Sequence, residues 1–225
     1  MKSASIILMI TCMALPVLGE DINNLPMYGG REKTPEKKKS DMVFIEAAIK
    51  EYGNRQKACD QYVKLGWQYF AKGDYNTAMK RFNQAWLLDQ KNGGIYWGLG
   101  AATSKAQMFD ESIKMFKTAS SHDPQNPRLM VDFGHAYIGK AEKNAKNAKE
   151  RVSYNTLATD LFKKAVAIDP KLEPAYFNWS VALYNLGDYK QAWQRLDQAK
   201  QLGGKSIDPD FLQELKTKMP DPATK

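Results

Sequence analysis

Few residues in this chain could do covalent chemistry, and their types narrow the possibilities early. Histidine occurs only at His122 and His135, and cysteine only at Cys12 and Cys59. So few thiols exclude both a cysteine-built zinc site and a disulfide scaffold, and two imidazoles make histidine-based metal or triad chemistry thin. A Ser/His/Asp arrangement would need a serine on a sharp turn, and no nucleophile elbow is present. Gly204-Lys205-Ser206 ends like a phosphate-binding loop, but the glycine required five residues before Gly204 is Ala199. Gly98-Leu99-Gly100 is dinucleotide-like only in isolation, because it lies in a predicted helix that follows no strand. His122 precedes Asp123 at a predicted helix end, where the dipole favours a cation. Cys59 reads as a half-buried packing residue rather than a redox centre. The expectation is a protein with no catalytic residue, no metal and no cofactor.

If the side chains do not react, they must bind or pack, and the composition says on what scale. The chain has 225 residues, 43% hydrophobic and 26% charged, the ordinary balance of a globular protein. No run of 18 apolar residues occurs, so no transmembrane helix is expected. Thirty-three Lys and Arg against 25 Asp and Glu give a net charge of +8, which favours acidic surfaces.

The start of the chain reads as an address. Lys2 is followed by apolar residues from Ala4 to Leu15, then Pro16-Val17-Leu18-Gly19 before Glu20-Asp21. That is the plan of a secretory signal peptide, 1–19, cleaved after Gly19. Met9-Ile10-Thr11 before Cys12 departs from the Leu-small-small-Cys pattern of bacterial lipoproteins, so a periplasmic protein is expected ahead of a lipid-anchored or secreted one. Membrane association would require lipidation at Cys12.

Residues 20–40, with Pro26, Gly29, Gly30, Pro35 and Lys37-Lys38-Lys39, read as a flexible linker. Leu25–Tyr28 is its one apolar part, able to fold back onto the domain. Ser40 or Asp41 then caps a helix over 41–53 carrying Phe44, Ile45, Ala48, Ile49 and Tyr52, stopped by Gly53, with Asn54 able to cap the next.

The rest of the chain is periodic. Gly66, Gly100 and Gly134 are spaced by 34, as are Phe82 and Phe116, Ala85 and Ala119, and Asp89 and Asp123. From Phe116 to Phe162 and from Ala119 to Ala165 the step is 46, that is 34 plus 12; from Phe162 to Leu196 it returns to 34. One unit recurs four times (59–92, 93–126, 127–172, 173–206), with a twelve-residue insertion in the third. Small residues mark close approach of helix axes; Tyr62, Phe82 and Trp86 fill the gaps. Asp123-Pro124 and Asp169-Pro170 end second helices. Asp208 caps a final helix, 207–219, with Phe211, Leu212, Leu215 and Met219 as a lid, before the tail 220–225. Within the insertion, Tyr137, Ala141, Ala145, Ala148 and Val152 are expected to form one stripe, and Lys140, Lys143, Lys146 and Lys149 a neighbouring basic row, on helical turns projecting from the third hairpin.

The first copy reads Tyr62, Leu65-Gly66, Tyr69, Gly73-Asp74-Tyr75, Ala78, Phe82 and Ala85. The third adds Phe133-Gly134, Tyr137, Ala158, Phe162, Ala165 and Pro170. This pattern resembles the tetratricopeptide repeat. The copies depart from it at Gln90, Thr103, Ser112, Ser180 and Leu196. The resemblance implies an all-α fold, a right-handed α-solenoid of four helix hairpins between N- and C-terminal capping helices. It also implies a concave groove lined by the first helix of each repeat. Mapped onto this chain, the groove positions are Val63, Trp67 and Phe70; Trp97, Ala101 and Lys105; Arg128, Val131, His135 and Ile138; and Phe177, Val181 and Tyr184. The family's clamp for a chaperone C-terminus is not made, since its positions hold Val63, Trp67, Gly98, Arg128 and Asp132. Counted from Gly93 they hold Trp97, Ala101, Asp132, Pro174 and Asn178, again no clamp. The expected function is a non-enzymatic adaptor of the bacterial cell envelope that docks a protein or peptide segment, and no nucleic acid, in an aromatic groove. A binder of anionic surfaces and a regulatory subunit of an envelope enzyme are the alternatives. The groove could also be covered by the chain's own Leu25–Tyr28.

Overall fold

A computed structural model describes residues 22–144 and 146–222. The predicted signal peptide and Cys12 lie outside them, as does Ala145 of the predicted stripe. Ten α-helices are described: α1 (Pro35–Tyr52), α2 (Arg55–Ala71), α3 (Tyr75–Leu88), α4 (Gly93–Lys105), α5 (Phe109–His122), α6 (Pro127–Lys143), α7 (Ala148–Ile168), α8 (Glu173–Asn185), α9 (Tyr189–Gln201) and α10 (Pro209–Lys218). None of them is long and apolar enough to cross a membrane.

Local chemistry sets the boundaries. Asn54, Asp74, Asn92, Asn126, Asn147, Asp188 and Asp208 each cap a helix by accepting a hydrogen bond from a first-turn amide. The first repeat lacks a proline at Gln90, yet α3 still ends at Leu88, and the Gln90 carbonyl accepts a hydrogen bond from the Tyr96 hydroxyl at 2.7 Å.

Helices α2/α3, α4/α5, α6/α7 and α8/α9 form antiparallel hairpins, each stacked on the next. The first helices α2, α4, α6 and α8 also touch one another in sequence, whereas α3, α5, α7 and α9 do so far less. That asymmetry puts the first helices on the inner side of the curve. Within the stack the Phe82 ring lies between α2 and α4, where a Cβ on Gly66 would come within 2.4 Å of it and one on Gly98 within 2.3 Å. Phe116 meets Gly100 in the second hairpin and Phe162 meets Gly134 in the third. Two buried clusters result, one across α1–α5 and one across α4–α10. Trp67, Phe70 and Tyr96 pack against both.

Cys59 is fully buried rather than half-buried. Its Sγ lies 3.8 Å from the Ala85 carbonyl, and burial pushes the thiol up to about 11, with Asp89 and Asp60 adding to the shift.

The N-terminal segment differs from the expected linker. α1 begins at Pro35, six residues before Asp41, with the Thr34 side chain accepting from the Lys37 amide. Proline at the first helical position loses no needed N–H, and the lysines after it are helix formers, so a helix wins over a tether here. Upstream, Ile22–Asn24 and Pro26–Gly30 fold into short turns against α3. The buried Asn83 side chain receives the Met27 amide at 2.7 Å and donates to the carbonyls of Asn23 at 3.0 Å and Leu25 at 2.8 Å.

The insertion lengthens the third hairpin to 17 and 21 residues in α6 and α7. It is not one continuous stripe. Asn144 closes α6, Asn147 caps α7, and the chain reverses between them. Tyr137 and Ala141 are therefore buried on α6 while Val152 is exposed on α7. The basic row is divided as well. Lys140 bonds Asp110 at 2.6 Å and Lys143 donates to the Gln107 carbonyl at 3.2 Å, tying the long hairpin to the preceding one.

Candidate partner-binding groove

The concave side carries three adjoining hollows of about 590, 260 and 480 Å³. Trp67 from α2, Trp97 from α4, and Arg128, Val131 and Asp132 from α6 line the first, which Leu172 and Pro174 close from the start of α8. Phe70, Ala101, Lys105, Val131 and His135 line the second. Lys105, His135, Ile138, Phe177, Val181 and Tyr184 line the third, together with residues of α10. Twelve of the thirteen groove positions expected from the repeat register thus surround this connected space. Val63 does not; it packs, partly buried, against the N-terminal core cluster. The register places it on the groove side; its neighbour Tyr62 carries the α1 contact, edge-on to Phe44 and Tyr52 at 5.2 and 6.1 Å.

Two further expectations need correction. Phe177 and Tyr184 are not open anchors. The Phe211 ring of α10 stands edge-on to both, at 5.7 and 5.5 Å between centroids. The segment around Leu25–Tyr28 is not what covers the groove, because it docks on α3, a second helix of the array. The chain's own contribution to walling the hollow comes from its other end, where Asp208, Asp210, Phe211 and Glu214 line the third hollow.

At the first hollow, aromatic packing and charge meet. The Trp67 and Trp97 rings are edge-to-face at 5.2 Å, and Trp67 also abuts Phe70 and Phe82 at 5.4 and 5.3 Å. The Trp97 indole N–H donates to Asp132 Oδ2 at 2.7 Å. Burial raises the Asp132 pKa, opposed by that hydrogen bond and by the positive charge of Lys105. His135 has its own surface open to the groove but is crowded by the walls, and this desolvation, with Lys105 adding to it, lowers its pKa. Arg128 and Lys105 are exposed and form no ion pair among the described residues. No group of three or more potential metal ligands occurs among those residues either.

Asp132, Leu172 and Pro174 were not among the expected groove positions. Asp132 follows Trp97 by one repeat plus one residue, which sets the two side by side on neighbouring first helices, so this pair was within reach of the period. Pro174 follows Arg128 by 46 residues, that is 34 plus 12, so the same register reaches it; Leu172 lies in the turn before the fourth repeat, outside the register.

Residues 69–129 match the family model of the tetratricopeptide repeat. The fold is that of a tetratricopeptide-repeat solenoid. Among solved structures, a thermophilic tetratricopeptide protein of Thermus thermophilus superposes with a TM-score of 0.63 at 21% identity, over 72% of this chain and 82% of that one. MamA superposes at 0.54 and 19% identity, over 78% of this chain and 97% of the other. MamA from Desulfovibrio magneticus RS-1, spanning its residue 41 to its end, does so at 0.52 and 15%, over 75% and 97%. No curated protein matches the sequence.

Proposed function

We propose that this protein is a non-enzymatic adaptor that docks a segment of a partner protein in its concave groove. The observation that carries this reading is the first hollow, about 590 Å³ of largely apolar space between two tryptophans, with Arg128 at its margin. Aromatic anchors beside an arginine are what binding hot spots consist of, and a solenoid exposes such a surface without spending it on its own core. Arg128 and Lys105 orient acidic groups of the partner. The leader-like pattern over residues 1–19 supports action in the bacterial envelope, after export to the periplasm. The alternative of an anionic-surface binder loses ground, because Lys140 and Lys143 of the long hairpin are engaged within the molecule.

Crosslinking in intact cells with mass-spectrometric readout tests the reading. Trp97→Ala combined with Arg128→Glu is expected to lower recovery of the crosslinked partner by about tenfold or more, with the helical spectrum and cooperative melting retained. Equal recovery from the double variant would remove the groove as the docking surface. Phe177 is a poor choice for this test, since its ring supports Phe211 and truncation there would disturb the C-terminal lid.

A further inference from the structure

The floor of the first hollow contains a charge that the protein leaves undercompensated. Asp132 of α6 lines this hollow together with Trp67 and Trp97. One of its oxygens accepts the Trp97 N–H at 2.7 Å; the other takes no hydrogen bond among the described residues. Arg128, one helical turn earlier on the same helix, forms no ion pair with it and is exposed instead. Lys105 contributes its field from the end of α4, but burial still dominates and holds the carboxyl above its ordinary range. A carboxylate in an apolar pocket is costly without a partner cation, and tryptophan faces attract cations in their own right. An anion or a neutral side chain entering this space would leave that cost in place.

We propose that the Trp67–Trp97 hollow is a receptor for one basic side chain, a lysine or arginine of the partner segment, whose aliphatic stem packs on the indoles and whose charged head pairs with Asp132. The residues flanking that side chain in the partner are acidic, facing Arg128 and Lys105. This specifies the occupant of the groove and rests on the adaptor reading above. The simpler role for Asp132, fixing the orientation of the Trp97 ring, makes a different prediction, because asparagine keeps an oxygen to accept the same indole N–H.

The experiment is a titration of the full chain, followed by the Trp97 indole resonance, with three small probes: Nα-acetyl-arginine amide, Nα-acetyl-norleucine amide and Nα-acetyl-glutamate amide. The arginine amide is expected to shift the Trp97 resonance saturably and to bind about tenfold tighter than the norleucine amide, roughly one charge-assisted hydrogen bond's worth. The Asp132→Asn variant should lose that advantage while binding the norleucine amide as before. Arginine binding no better than norleucine, stronger binding of the glutamate amide, or indifference to Asp132→Asn would overturn the proposal. The probes need no partner, so this result is read separately from the crosslinking, which judges the groove as a whole.

Discussion

Gly98 shows how far one residue's size is set by a neighbouring helix. It lies on α4, and the Phe82 ring of α3 occupies the place where its side chain would begin; the same ring closes on Gly66 of α2. Gly98→Ala is expected to lower the unfolding free energy by about 1–3 kcal/mol through overpacking. Urea unfolding should then show an earlier midpoint at unchanged slope, and an unaltered midpoint would mean the ring has room to move. Departures from the repeat pattern have similar local explanations. Ser112 on α5 donates to the Gly100 carbonyl of α4 at 2.8 Å, and Ser180 on α8 donates to the Ala192 carbonyl of α9 at 2.7 Å. Both are fully buried hydroxyls, and each satisfies itself by crossing its own hairpin. Periodicity marks such positions as irregular; only the neighbouring carbonyl shows why a hydroxyl is tolerated there.

At the scale of elements, the N-terminal segment depends on another part of the chain. Met27 and Tyr28 hold left-handed backbone at φ of 52° and 57°, a conformation that costs energy for residues with a side chain. Three hydrogen bonds made by the Asn83 side chain and the burial of Tyr28 offset that cost. Asn83→Ala removes all three bonds at once. The expected outcome is release of residues 22–33, seen as amide exchange in that segment faster by about tenfold or more, while α4–α9 keep their protection. Unchanged exchange would show that Tyr28 and its neighbours hold the segment by apolar contact alone. The apolar Leu25–Tyr28 marked this stretch as able to fold back onto the domain, but its composition could not name the anchor, a single asparagine 56 residues from Met27. The insertion is the complementary case. Its helical character followed from the absence of proline and glycine, but the reversal at Asn144–Asn147 depended on asparagine capping that broke the expected stripe.

For the whole molecule, stability should be graded along the stack. α6 buries ten of its residues, whereas α1 buries Ala48 alone and α10 buries Phe211 and Leu215. In a linear array each hairpin is held by its neighbours, so the ends open first. Hydrogen exchange is expected to be slowest in α6 and the helices packed on it, and fastest in α1 and α10. Uniform protection from α1 to α10 would instead mark the array as one cooperative unit.

The 34-residue period, with its fixed places for glycine and phenylalanine, determined the hairpins, their order and most of the groove register. That information is local and repeated, so it is readable without knowing where anything else lies. What the period could not supply were the contacts made once. These include the Phe211 ring against Phe177 and Tyr184, the α1 rings Phe44 and Tyr52 against Tyr62, the Asn83 anchor on α3, and the Lys140–Asp110 tie. Each joins residues from a repeat and a non-repeated element, or from two different repeats, and its geometry follows from how the whole stack closes at its ends.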